Sequence, residues 1–174
     1  MLNDKNLNQN NIDDELAREI LGMVSVDQKM RVKAKVWDYK IDEKNTERLK
    51  RIVDKYGWPG RSLVGEEAAH GAWLLAQHAD RDLEFQKHAL VLLEEAVVGG
   101  EADKRDLAYL TDRVRVNNGQ SQIFGTQFYE NEEGVFGPSP IEDFDNIDRR
   151  RAEFGLETFS EYKKTIFEIR SKKK

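Results

Sequence analysis

The sequence predicts a mainly α-helical protein, a compact bundle of about six helices with one small β-hairpin near residues 122–137. Apolar residues recur at helical spacing through most of the chain, turns rich in glycine and asparagine separate these stretches, and one short segment is aromatic and β-prone. The 174 residues suit a single domain that buries roughly 70% of its unfolded surface. We expect this domain at residues 12–170, after a disordered Asn-rich segment at 1–11 and before a basic tail at 171–174.

Two helices and one ambiguous stretch are predicted in the first third of the chain. Apolar positions at helical spacing begin at Ile12 and predict the first helix. The stretch from Val32 to Tyr39 is β-branched and aromatic, so helix and strand both remain open. The next helix is expected after Asp42, and the turn Gly57-Trp58-Pro59-Gly60 predicts its end.

The middle of the chain has the clearest helical pattern. Helices are predicted at Glu66–Ala79 and Leu83–Val98, joined by the tight connection Asp80-Arg81-Asp82. Helices joined in this way are expected to pack antiparallel. A short amphipathic helix follows at about Asp103–Val116.

The pattern changes from helical to β-prone at Gln122. The residues that follow predict one β-hairpin with a turn near Gly134. Asp145 or Asp148 is expected to cap a basic helix, and a last helix is predicted at about Thr158–Arg170.

Composition excludes several classes of protein. The net charge is −5, with 28 Lys+Arg against 33 Asp+Glu, which argues against nucleic acid as the main partner. The absence of cysteine excludes disulfides, thiol nucleophiles and iron–sulfur clusters. No apolar run approaches the roughly 18–20 residues that cross a bilayer, and the N-terminus lacks the pattern of a signal peptide. We therefore expect a cytoplasmic protein with no membrane partner.

Several polar residues share one arc of the predicted Glu66–Ala79 helix. Glu66, His70, Trp73 and Gln77 fall within this arc, and buried polar groups need partners. The arc faces either a ligand pocket, with Trp73 as a stacking platform, or an ordinary network of hydrogen bonds. Glu66 and His70 have the i, i+4 spacing of two metal ligands, but no third ligand is evident, so no metal site is predicted.

The sequence His78-Ala79-Asp80 gives a candidate acid/base group. A histidine oriented by a carboxylate can act as a general base. The alternative is a helix C-terminus at which an imidazolium lies near the last carbonyl groups.

A second group of candidates lies after residue 110. Asp112 and Arg113 are either a fixed charge pair or part of a recessed site, in which an arginine binds carboxylate or phosphate. In Gly125-Thr126-Gln127, the glycine allows close approach and its two neighbours offer hydrogen-bond donors and acceptors. The alternative for this segment is a β-bulge.

Taken together, several of these segments resemble an uncharacterised bacterial family of small proteins, a domain of unknown function. The resemblance runs from about Asp42 to Tyr162 and carries no reaction to this chain. It implies that these polar segments belong to a family pattern. The matching segments are Gly57-Trp58-Pro59-Gly60, Val64-Gly65, residues 72–80, residues 107–113, Gly125-Thr126-Gln127, Pro140-Ile141-Glu142-Asp143 and Asp148-Arg149-Arg150.

The first functional hypothesis is a polar pocket for a small polar or anionic ligand. His78 is the proposed acid/base group, Asp80 or Asp112 its orienting carboxylate, and Arg113 the anion-binding group. If the protein is catalytic, metal-independent hydrolysis or a related acid/base reaction fits best, and no cofactor is implied. The remaining ligand-binding candidates are His70, Trp73, Gln77, Thr126 and Gln127. This hypothesis places His78, Asp112 and Gln127 in one cavity.

The rival hypothesis is a non-catalytic protein-interaction module, such as an adaptor or an immunity-type protein. In that case the same polar residues brace the core, and a contiguous exposed patch binds a protein partner. Phe128, Tyr129 and Phe136 of the hairpin are the expected contacts.

Overall fold

The structure is a computed structural model that describes residues 12–33 and 38–172. Predictions for residues 1–11, 34–37 and 173–174 lie outside the described residues. The mainly α-helical fold is confirmed, with seven α-helices and one antiparallel hairpin in the described part of the chain. The elements are α1 (Asp14–Lys33), α2 (Tyr39–Tyr56), α3 (Arg61–Gln77), α4 (Leu83–Val98), α5 (Lys104–Asn117), β1 (Phe128–Glu130), β2 (Phe136–Pro138), a 3-10 turn (Phe144–Asn146), α6 (Ile147–Glu153) and α7 (Phe159–Ser171).

Helix α3 lies at the centre of the bundle, in contact with α1, α2, α4 and α5. Its alanines are buried, and a Cβ added to Gly71 would lie 3.0 Å from Val24 Cγ2 and 3.3 Å from Ile20 Cγ2. Small residues on α3 therefore allow α1 to approach closely. The fully buried large apolar side chains of the core are Ile20, Leu49, Ile52, Leu75, Leu93 and Leu110.

The second helix begins earlier than predicted, and a short helical segment precedes the predicted start of the third. α2 starts at Tyr39 because the Asp38 side chain accepts a hydrogen bond from the backbone N–H of Lys40, so Asp38 rather than Asp42 caps it. Asp42 lies buried in the first turn. The α3 range consists of two helical segments that meet at a kink at Gly65, where φ is 79° and ψ is 165°; a short segment begins at Arg61, and the longer one begins at Glu66, as predicted.

The hairpin is shorter than predicted. Phe128 pairs with Pro138, Tyr129 with Gly137 and Glu130 with Phe136, whereas residues 123–127 form no strand. A Cβ added to Gly125 would lie 2.7 Å from two atoms of the Phe159 ring, and the φ of this glycine is 70°. Gly125 therefore serves a close approach to α7 in a loop rather than in a strand.

Neither predicted aspartate caps α6. Asn146 precedes the helix, and the Asp148 carboxylate instead accepts a hydrogen bond from the backbone N–H of Phe159, at 2.7 Å. α7 matches its prediction because Thr158 and Glu161 form a capping box at its N-terminus.

The basic stretch of α6 holds the C-terminal elements together. Arg150 donates to the carbonyl oxygen of Ile123 and to the Asp143 carboxylate, both at 3.0 Å. Arg151 is fully buried and donates to the carbonyl oxygen of Phe124 at 2.6 Å. Both arginines therefore hold parts of the fold together through hydrogen bonds.

Among the described residues, no helix combines the length and apolar character that a membrane span requires.

Candidate functional site

His78, which follows the last residue of α3, is bound to a buried carboxylate of α1. Its Nδ1 lies 3.1 and 3.0 Å from the two oxygens of Asp27. Asp27 is fully buried and also accepts hydrogen bonds from Arg31 Nε, at 3.0 and 3.1 Å, and from Gln28 Nε2, at 2.8 Å. The expected pairing of His78 with Asp80 or Asp112 is therefore replaced by a pairing with Asp27, 51 residues earlier in the chain.

The surroundings of Asp27 keep it ionised. Burial acts to raise the pKa of Asp27, but the hydrogen bonds and charges of His78 and Arg31 more than offset it, so the pKa lies below its usual value. An ionised carboxylate can only accept hydrogen bonds, so Nδ1 of His78 is the donor. This leaves Nε2 as the ring nitrogen able to take or give a proton.

His78 lines a cleft of about 320 Å³ between α2 and the connection from α3 to α4. Four of the eight lining residues carry a carboxylate and one carries a guanidinium, so the cleft has an excess of negative charge. Asp112 and Gln127 do not line this cleft. The lining residues are Asp42, Glu43, Thr46, Glu47, His78, Ala79, Arg81 and Asp82.

The acidic residues of this cleft are held by basic neighbours. Asp42 is buried, whereas the side chains of Glu43, Glu47 and Asp82 lie nearer the surface. The neutral Thr46 is also buried. Each carboxylate that lines the cleft has a basic side chain within 3.3 Å. The ion pairs are Arg31–Asp42 at 2.8 Å, Arg81–Glu43 at 3.3 Å, Lys50–Asp82 at 2.6 Å and Lys50–Glu47 at 3.2 Å.

His70 forms a second pair with a carboxylate, on a different part of the surface. Its Nδ1 lies 2.9 Å from Oδ2 of Asp106, and its ring packs on Trp73 with the ring centroids 4.8 Å apart. The His70 side chain is 58% exposed, at the edge of a cleft of about 350 Å³. Burial raises the pKa of Asp106 and outweighs the hydrogen bond from His70.

Glu66 does not join this pair. Its two carboxylate oxygens accept hydrogen bonds from Arg61, from Nε at 2.5 Å and from Nη2 at 3.1 Å. The polar arc predicted on α3 is thus divided between several neighbours. Trp73 and Gln77 are buried, and neither Trp73 Nε1 nor Gln77 Oε1 has a hydrogen-bond partner among the residues that the structure describes.

Asp80 and Arg113 form a bidentate ion pair. Arg113 Nε lies 2.8 Å from Asp80 Oδ1 and Nη2 lies 2.5 Å from Oδ2, while Nη1 donates to Gln127 Oε1 at 3.0 Å. Asn117 Nδ2 donates to Asp80 Oδ1 at 2.9 Å and to Gln86 Oε1 at 2.8 Å. The guanidinium that the sequence suggested as an anion-binding group is therefore occupied by the protein itself.

Asp112 is fully buried and organises the loop before the hairpin. Its carboxylate accepts hydrogen bonds from the backbone N–H groups of Ile123, Phe124 and Thr126 at 2.7, 3.0 and 2.9 Å, and from the Thr126 hydroxyl at 2.9 Å. Burial raises the pKa of Asp112 in spite of these donors. Asp112 and Arg113 thus bind different partners and do not form a pair with each other.

The structure joins five of the predicted site residues in one hydrogen-bonded chain and separates the others. The chain runs from Asp80 through Arg113, Gln127 and Thr126 to Asp112; Gln127 Nε2 donates to Thr126 Oγ1 at 3.0 Å. His78 belongs to another network, with Asp27. The expected meeting of His78, Asp112 and Gln127 in one cavity is therefore not seen at the cleft that His78 lines.

Sequence reasoning missed Asp27 and Asp106, the carboxylates that bind the two histidines. A signal for Asp27 exists in α1, where Leu16, Ile20 and Met30 are buried and Asp27 falls on the same apolar stripe. Asp106 is likewise buried beside Leu107 of α5. An aspartate within an apolar stripe indicates that its carboxylate has a buried partner. That partner can come from a distant part of the sequence.

Within residues 12–33 and 38–172, no three His, Cys, Asp or Glu side chains are grouped to hold a metal ion.

Comparison with known proteins places the chain in a family. A scan against protein-family models matches residues 14–173 to a family of unknown function, DUF6624. No curated protein and no solved structure matches the chain. The matched range contains every helix and strand described above and both histidine–aspartate pairs. The resemblance to a domain of unknown function is thereby confirmed, and the chain belongs to the DUF6624 family.

Proposed function

We propose that the protein binds a small polar ligand in the cleft between α2 and the end of α3, and that His78 is the acid/base group there. One observation carries the proposal: His78 lines the cleft while its Nδ1 is fixed by the fully buried carboxylate of Asp27. A carboxylate held in this way orients the imidazole and leaves Nε2 facing the ligand as the nitrogen that exchanges a proton.

The His78 pair suits proton transfer better than the His70 pair. The His78 side chain is 15% exposed, so its ring is held by the protein and is reached through the cleft. Asp27 remains ionised because its pKa is lowered, whereas the pKa of Asp106 is raised. Asp27 is therefore ionised, and able to orient an imidazole through Nδ1–H, over a wider pH range than Asp106 is.

The charges of the cleft favour a particular kind of ligand. The four carboxylates of its lining still outnumber the basic groups when Arg31 and Lys50, which pair with them, are counted together with Arg81. This balance favours a polar ligand with hydrogen-bond donors or a positive charge over an anion. If a reaction follows binding, Nε2 of His78 takes a proton from an attacking water or hydroxyl group and returns it to the leaving group. Metal-independent hydrolysis is one reaction of this type.

The experiment is a ligand screen that reports on individual histidine rings. The protein is labelled in its three histidines, and a library of small polar amines, amides and amino alcohols is added while the ring signals are followed by NMR. A ligand that shifts the His78 ring in the native protein and loses affinity about tenfold or more in His78→Gln supports the proposal.

His70→Gln is the matched control, since it removes the other histidine that is bound to a carboxylate. It should leave the affinity of such a ligand unchanged. Ligands that shift only the His70 ring, or that bind His78→Gln as tightly as the native protein, contradict the proposal.

A protein-interaction role is the second candidate, and exposed apolar side chains near the hairpin favour it. Phe128 and Phe136 pack on Phe167 of α7, with ring centroids 6.4 and 5.5 Å apart. Tyr129 and Val135 remain at least half exposed beside them. If this surface binds a protein, a Tyr129→Ser, Val135→Ser double variant should lose that partner in pull-downs while its melting temperature stays unchanged.

A further inference from the structure

We infer a second binding site, for a small amphipathic carboxylate, in an apolar cleft between α1 and α2. The cleft has a volume of about 380 Å³, which is within the usual range for small-molecule sites. Met23 and Val26 of α1 and Ile41 of α2 provide its apolar wall. Val26 is half exposed although it is a large apolar residue.

The side-chain amide of Asn45 indicates that the ligand carries a hydrogen-bond acceptor. Asn45 lines the cleft, is only 8% exposed, and its Nδ2 has no hydrogen-bond partner within the described part of the chain. This nitrogen is shielded from solvent, but no hydrogen bond of its own holds it in place, so a half-turn of the amide about the Cβ–Cγ bond presents it to an acceptor of a ligand in the cleft. An oxygen of a carboxylate supplies such an acceptor.

Two lysines give the cleft a positive edge. Lys40 and Lys44 line it one helical turn apart on α2, next to Ile41 and Asn45. Both are exposed, and no carboxylate of the described residues forms an ion pair with either ammonium group. Their charges complement an anionic head group on a molecule whose chain occupies the apolar wall.

This site is independent of the His78 cleft. α2 contributes Lys40, Ile41, Lys44 and Asn45 here, whereas it contributes Asp42, Glu43, Thr46 and Glu47 to the other cleft. The helix therefore presents a basic and apolar side to one cleft and an acidic side to the other. The two clefts are expected to select ligands of opposite charge.

Gly22 provides a way to fill the cleft without removing a ligand contact. It lines the cleft from α1, and a Cβ added there meets no atom within 4 Å. Gly22→Leu should place its side chain in the cleft and abolish binding. Gly22→Ala is the matched control: it adds only a methyl group, should keep binding, and should raise the melting temperature because alanine favours the helix more than glycine does.

The probe is octanoate, with octylammonium as the probe of equal chain length and opposite charge. Binding is followed by NMR at the Gly22 backbone amide and the Asn45 side-chain amide. We expect octanoate to bind at least about tenfold more tightly than octylammonium, and Gly22→Leu to lose the binding. Equal affinity for the two probes, or octanoate binding that persists in Gly22→Leu, would overturn the proposal.

Asn45→Leu tests the amide separately from the fold. It replaces an unpartnered polar group by an apolar one of similar size, so the melting temperature should rise while octanoate affinity falls about tenfold. An unchanged affinity would contradict the assigned role of Asn45. Co-sedimentation with phosphatidylglycerol vesicles in the absence of octanoate binding would assign this face to a membrane surface and overturn the proposal.

Discussion

The two histidine–aspartate pairs of this protein have nearly the same length and different surroundings. Nδ1 lies 3.0 Å from the nearer carboxylate oxygen in the His78–Asp27 pair and 2.9 Å in the His70–Asp106 pair. The His78 side chain is 15% exposed and the His70 side chain 58% exposed. The distance between the partners therefore does not distinguish a fixed internal pair from one at the surface.

The difference comes from the other donors to each carboxylate. Burial acts to raise the pKa of both aspartates. Asp27 also binds Arg31 and Gln28, and its pKa is lowered; Asp106 has His70 as its hydrogen-bonding partner, and its pKa is raised. The charge of the donors matters more than their number: Asp27, beside the Arg31 guanidinium, has a lowered pKa, whereas the buried Asp112, whose donors are all neutral, has a raised one.

The largest expected effect is on stability. Asp27→Asn removes the fully buried charge that Arg31 and His78 share, while the ion pair of Arg31 with Asp42 remains, so we expect the free energy of unfolding to fall by about 3 kcal/mol. Asp106→Asn is the matched control and should change it by less than about 1 kcal/mol. Urea unfolding of both variants measures the difference. Equal losses would show that the two pairs are energetically alike.

The two pairs should also respond to pH in opposite directions. The folded-state pKa of Asp27 lies below its unfolded value of about 3.9, so its contribution to stability is complete above that pH and is lost as the pH falls through the folded-state pKa. The stability advantage of the native protein over Asp27→Asn should therefore shrink as the pH falls below about 4.

For Asp106 the sign is reversed. Its folded-state pKa is raised, so its contribution is complete below the unfolded value and is lost as the pH rises through the folded-state pKa. The native protein should therefore lose stability relative to Asp106→Asn as the pH rises over that range. Urea unfolding of the native protein and both variants at several pH values between 3 and 6 gives the two slopes. Slopes of the same sign would refute the contrast between the pairs.

Chemical modification should separate the histidines by access. Diethyl pyrocarbonate should modify the exposed His70 several-fold faster than His78, because the His78 ring is reached only through its cleft. His88 is exposed and serves as an internal reference. The three rates are measured by mass spectrometry of peptides. A rate for His78 close to that of His88 would mean that the cleft does not restrict access to its ring.

The smallest effect is expected at His70 itself. His70→Gln should lower the free energy of unfolding by less than about 1 kcal/mol, because it removes one donor from the buried Asp106 but does so at an exposed position, where water can replace it. His78→Gln should cost about 1–2 kcal/mol, because it removes a donor from the buried Asp27. Thermal unfolding of the two variants compares them. A larger loss at His70 than at His78 would reverse the comparison.

Most helices were predictable because their apolar spacing is local. The bounds of α4 and the capping of α7 at Thr158 follow from residues within a few positions of each other. The segment 123–127 was predicted as strand from its aromatic and β-branched composition. Its backbone N–H groups instead bind the Asp112 carboxylate, a contact that local pattern does not show.

The sequence predicts His78 as a residue of the candidate site, but it does not predict that Asp27 is the carboxylate bound to it. His78 lines a cleft, as a pocket residue should, but the nearby Asp80 that seemed suited to orient it binds Arg113. The partner is Asp27, which α1 brings to His78 because α1 and α3 pack closely at Gly71. A single sequence gives the face on which each residue lies, and the packing of the helices decides which faces meet.

The Asp112 carboxylate gives a loop one of the properties of a strand. Three backbone N–H groups between residues 123 and 126 end on this fully buried side chain rather than in a ladder. In deuterated solvent, these amide hydrogens should exchange as slowly as those of the helices around them, although the segment has no regular secondary structure. Because of the Asp112 carboxylate, the amides of this irregular segment should become accessible to solvent only when the surrounding core unfolds.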